Sequence, residues 1–149
     1  MATSVETDRV ESRDGMPEPA ASRELEKRKA GAEVRLQWFK ASAGEWPAFD
    51  EVDPERLDEY GVFVIWRNGG AARISVVLYV GRGLIGQELA RCQRDILFRD
   101  GRDLYVTWAK VDDLWMIDSV AAYLYQKLRP LWGEIVLAAP RPVNSPWAA

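Results

Sequence analysis

Val62, Phe63, Val64, Ile65 and Trp66 form an unbroken run of β-branched and aromatic side chains, followed by Asn68-Gly69-Gly70, the residues of a tight turn. Residues 74–80 return to strand composition, so the two runs predict a β-hairpin. Gly81 and Gly83 predict where its second strand stops. From there the period changes. Ile85, Leu89, Cys92 and Ile96 recur on one face of a helix predicted over 85–98. Asp100-Gly101 predicts a turn, and residues 104–108 alternate as a third strand. Leu114, Ile117, Ala121, Leu124 and Leu128 make a second helical stripe, ended by Pro130. The order β-β-α-β-α predicts an α+β fold, a small three-stranded antiparallel sheet flanked by helices.

The flanks carry weaker patterns. Ser22 predicts a helix start, with Glu24 and Glu26 near the positive end of the helix dipole, although Leu25 occupies the capping-box position. Val34, Leu36, Trp38 and Phe39 fit either a helix or a strand over 33–40. Gly44, Pro47 and Pro54 break up the connecting segment, and Asp53-Pro54-Glu55 predicts a short helix reaching Tyr60. After Gly133, Pro140, Pro142 and Pro146 predict an extended tail. The chain thus divides into an acidic leader (1–20, expected to be disordered), an N-terminal helical extension (21–60), a central domain (61–134) and a proline-rich tail packing on that domain (135–149).

Composition narrows the chemistry. At 149 residues, 48% apolar and 29% charged, the chain can bury a core of its own. It contains no histidine, which excludes Ser-His-Asp and Cys-His catalysis and histidine metal sites. Cys92 is the sole cysteine, so no intrachain disulfide or CxxC cluster can form. The formal net charge of -3 excludes a strongly basic nucleic-acid coat. Five acids against two arginines in residues 1–20 account for the acidic bias, and the rest of the chain is balanced. The apolar runs at 74–80 and 135–139 are far too short to span a bilayer. The expectation is a cytoplasmic protein with no membrane partner.

Residues 61–134, about half the chain, resemble the GIY-YIG nuclease superfamily. Gly61-Val62-Phe63 is similar to the first signature tripeptide and Tyr79-Val80-Gly81 to the second, one on each arm of the hairpin. Residues 85–93 resemble the family's first helix, Leu104-Tyr105-Val106-Thr107-Trp108-Ala109 its third strand, and residues 119–130 the helix that carries its metal-binding glutamate. Pro142-Val143-Asn144 with Pro146-Trp147 resembles the tail of some bacterial members. The resemblance implies metal-dependent phosphodiester hydrolysis: a glutamate holding one divalent cation, with tyrosine hydroxyls and an arginine around the nucleophile.

The residues at those positions depart from that chemistry. Phe63 lacks the first tyrosine's hydroxyl, Glu88 stands at the helix arginine, Cys92 at a common histidine, Ala121 at the metal glutamate and Gly133 at a common asparagine; Tyr79 alone matches. Losing a metal ligand or a positioned acid–base group costs roughly 10²-fold each. One reading is therefore a non-cutting, nuclease-like module that binds DNA, RNA or a protein and needs no cofactor. A second is an active endonuclease using Mg²⁺ or Mn²⁺, with a relocated site of Asp118 as metal ligand and Tyr79 and Arg91 as catalytic groups. In the blander alternative, Asp118 is an exposed helix residue, Arg91 pairs with Glu88 or Asp95, and Phe63 and Ala121 simply pack. A third reading is an interaction or assembly protein.

Arg82, Arg91, Arg94, Arg99 and Arg102 cluster around the first helix and are the candidate nucleic-acid contacts. Glu88, Asp95, Asp100 and Asp103 interleave with them, as on a solvated face with ion pairs. Seven tryptophans are more than so small a core can hold. Trp66 and Trp108 are expected in the core. Trp115, Trp132 and Trp147 are candidates for base stacking, for a protein interface or for anchoring the tail.

Overall fold

The computed structural model describes residues 34–68, 76–98 and 103–147, all within the unit Glu33–Ala149. The acidic leader, the Ser22 helix, Gly69-Gly70 and Asp100-Gly101 lie outside the described residues.

A three-stranded antiparallel sheet and two helices make an α+β fold. Strand β1 (Tyr60–Arg67) lies between β2 (Val76–Leu84) and β3 (Leu104–Lys110), antiparallel to both. Helix α1 (Ile85–Arg94) follows β2 directly, and α2 (Ile117–Leu128) follows β3 after a 3-10 turn at Leu114–Met116. Both faces of the central strand are covered, which is why its sequence is continuously apolar rather than alternating. Val62, Val64 and Trp66 pack with Val120, Ala121 and Leu124 of α2, together with Leu36 and Val143. Phe63 and Ile65 point to the opposite face and pack with Ile85, Leu89 and Cys92 of α1, and with Phe49 and Phe98.

A bulge in β2 sets which face Tyr79 occupies. Ile65 pairs with Tyr79 but Trp66 pairs with Val77, so Leu78 is the extra residue. Leu78 and Tyr79 both fall on the α1 face, and Val80 on the other.

Several local expectations change. The strand runs through Gly81 and Gly83 to Leu84, because Gly81 lets Phe63 approach closely and Gly83 takes up a φ of +116 within the ladder. A Cβ at Gly81 would stand 2.1 Å from Phe63 Cζ, and one at Gly61 would stand 2.1 Å from the Ala109 carbonyl oxygen. Helix α1 stops at Arg94 rather than 98, since the Asp95 carboxylate accepts from the Leu97 N–H and offers the chain a turn instead. Ile96 is consequently 72% exposed and leaves the helical stripe. Leu114 likewise leaves the second stripe, because Asp113 caps a 3-10 turn ahead of α2. The described part of the extension, residues 34–60, holds three 3-10 turns, two isolated bridges and the first residue of β1, but no α-helix. At Pro54–Arg56 the turn goes no further because the Leu57 and Glu59 carbonyls swing away to accept from Gly86 and Ile85, the first N–H groups of α1.

That extension and the tail complete the unit. The Phe39 N–H bonds to the Trp108 carbonyl and Val106 N–H to Pro47, covering the outer edge of β3. Leu131 and Trp132 donate to the Val77 and Leu78 carbonyls, covering the start of the β2 edge. Buried Asn144 clamps the tail: its Oδ1 accepts from Leu36 N–H at 2.6 Å, its Nδ2 donates to Leu36 C=O at 3.0 Å, and its own carbonyl accepts from Trp38 Nε1. No helix among the described residues is long and apolar enough to cross a membrane.

Candidate functional site

The bulge and the return of the chain after α2 together create a cleft of about 450 Å³ along the β2 edge. Tyr79, Gly81 and Arg82 supply one wall, Glu88 and Arg91 of α1 another, and Gly133 and Glu134 a third. Gly133 has φ +123, a value that favours glycine, and a Cβ there would lie 3.4 Å from the Tyr79 ring. The Tyr79 ring is held by Phe63 and Phe98, and Trp132 packs edge-on with Phe98.

Both arginines of the cleft are ion-paired. Arg91 forms an ion pair with Glu88, one helical turn away, and makes a long 3.5 Å contact from its guanidinium to the Tyr79 hydroxyl. The Glu88 carboxylate holds Arg91 firmly in its protonated form. Burial raises the Tyr79 phenol above its ordinary value, outweighing the Arg91 hydrogen bond. At neutral pH Tyr79 therefore keeps its proton and offers a hydroxyl, not a base. Arg82 is bonded at 2.7 Å to Asp118.

The structure thus brings Tyr79, Arg91 and Arg82 to one cleft but leaves Asp118 outside its lining, on the exposed flank of α2 against Arg82. Ala121 is 1% exposed and Phe63 is fully buried, each inside an apolar cluster. Cys92 is buried too, and burial pushes its thiol up to about 12, so it is no nucleophile at neutral pH. Where the resemblance would imply a metal ligand, Ala121 offers only a buried methyl, and the Asp118 carboxylate is ion-paired with Arg82. Among the described residues, no group of three or more metal-ligating side chains gathers.

Of the remaining arginines, Arg94 lies in the last turn of α1 beyond the cleft lining, where a cation complements the helix dipole. Arg99 and Arg102 lie outside the described residues. Glu134 is the lining residue that sequence reasoning missed. Its only signal was the turn chemistry at Pro130 and Gly133, which does not say where the chain returns.

The tryptophans divide by environment. Trp66 and Trp108 are buried, Trp38, Trp46 and Trp132 half-buried, and Trp147 packs edge-on against Trp66. Trp115 is 91% exposed, next to exposed Leu114. No family model, no curated protein and no solved structure matches the chain.

Proposed function

We propose that the protein is a non-cutting, GIY-YIG-like module that binds nucleic acid through the cleft along β2. The observation that carries the reading is the convergence of Arg82, Arg91 and the protonated Tyr79 phenol on one groove, while Phe63 and Ala121 are given over to packing. Arginine forks and a phenol hydroxyl are phosphate donors. The ion pairs with Glu88 and Asp118 temper that affinity, and binding is accordingly weak and salt-sensitive.

Labelled single-stranded and duplex DNA and RNA, titrated at low and moderate salt, test it. Affinity falls with salt, Arg91→Gln weakens binding, and Glu88→Gln strengthens it by releasing the Arg91 charge. No cleavage accompanies binding in Mg²⁺ or Mn²⁺. Cleavage that Asp118→Ala abolishes would replace this reading with the relocated-site endonuclease. Absence of binding to every nucleic acid would favour a protein partner instead, for which exposed Leu114 and Trp115 are the specific candidates.

A further inference from the structure

Around Trp66, three separate stretches of chain bring aromatic rings together. Trp66 of β1 is 3% exposed and forms the floor. Trp46 stands at 89° to it with ring centroids 5.5 Å apart, and Trp147 stands at 88° with centroids 5.2 Å apart. Tyr105, paired with Trp66 across β1 and β3, lies nearly parallel to it at 6.0 Å. Between them opens a cavity of about 500 Å³, lined by these four rings with Glu45 and Asn68. Among the described residues, no ion pair engages the Glu45 carboxylate.

We propose that Trp46, Trp66, Tyr105 and Trp147, with Glu45 on its lining, form an aromatic cage for a quaternary ammonium group. Aromatic faces attract a cation through their quadrupoles, and indole does so best. Trp46 already holds one cation: the Lys40 ammonium sits 4.7 Å from its ring centroid, outside the cavity lining. A primary ammonium entering the cavity would surrender strongly held water that four rings cannot replace. A quaternary ammonium carries no N–H donors, so it loses no hydrogen bonds against apolar walls, and Glu45 balances its charge. Packing of the tail alone accounts for Trp147 on Trp66, but not for a carboxylate that no described cation pairs, set beside an open cavity. The cage is separate from the β2 cleft, so neither proposal depends on the other.

The test titrates the full chain with tetramethylammonium, followed by tryptophan fluorescence and calorimetry, alongside a neutral tert-butyl alcohol of the same shape. Saturable binding of the cation, at least about tenfold tighter than the neutral probe, is the expected result. Glu45→Gln, an exposed change that cannot unfold the chain, and Trp46→Leu should each weaken it several-fold or more. Equal binding of the neutral probe, no saturation, or indifference to Glu45→Gln would overturn the cage. Choline and a trimethyllysine peptide then separate the sources: tighter binding of choline assigns a free small molecule, tighter binding of the peptide a protein-borne group, and binding of neither refutes the proposal.

Discussion

Gly81→Ala asks why the second tripeptide ends in glycine. A methyl there would stand 2.1 Å from Phe63 Cζ and 2.4 Å from its Cε1, against a normal carbon–carbon contact of roughly 3.5–4.0 Å. The Phe63 ring is fully buried in a cluster with Ile65, Ile85 and Leu89, so it has nowhere to retreat. Overpacking of this kind costs about 1–3 kcal/mol. Phe63→Leu removes the ring atoms that clash and leaves a small cavity, which costs about 1–2 kcal/mol alone. In the double variant the shorter leucine leaves room for the methyl. Its destabilisation should therefore fall short of the sum by about 1 kcal/mol or more. Urea denaturation of the four proteins, with m unchanged, measures the coupling. Additivity within about 0.5 kcal/mol would refute the steric account. The glycine, which also lines the cleft, would then owe its place to something approaching from outside.

Three further outcomes follow from burial. Asn144→Ala leaves the Leu36 N–H and C=O without their partners, and urea denaturation should show a loss of about 2–4 kcal/mol; a loss below about 1 kcal/mol would mean the tail is not clamped there. Cys92, with its thiol raised from 9.0 to about 12, should react with iodoacetamide at pH 8 at least about 10²-fold more slowly in the folded chain than in urea. The sign of the linkage is fixed: below pH 9 both states hold the proton, and above it only the unfolded thiol ionises. Stability therefore falls as pH rises from 9 towards 12, and Cys92→Ala should flatten that slope in alkaline melts. A slope unchanged by the substitution would count against the thiol as its source.

The strands and helices were legible because their signals are local. The run at residues 62–66 and the stripe Ile117, Ala121, Leu124 need only periodicity to be read, and the structure makes them β1 and the buried face of α2. The end of α1 was not legible, since the Asp95 side chain competes with the backbone only once the chain has turned. The bulge at Leu78 was hidden as well, because register belongs to a pair of strands and not to one. In the cleft, Tyr79 was a candidate only through the resemblance, and Arg91 through its place three residues after Glu88 on the same helix. The Arg82–Asp118 pair spans 36 residues, and Glu134 arrives by a backbone return, so both are products of tertiary packing that spacing alone does not encode.

Asn144 meets Leu36 across 108 positions of sequence, and that separation orders events in time. During synthesis the sheet and both helices can emerge before residue 144 does. Leu36 and its neighbours must then wait with their amides hydrated, and the α2 face of the sheet stays partly uncovered. Docking of residues 142–144 then joins the first described segment to the last. A nascent or truncated chain stopped short of that residue would hold most of its secondary structure and still present an unfinished apolar surface to chaperones and proteases.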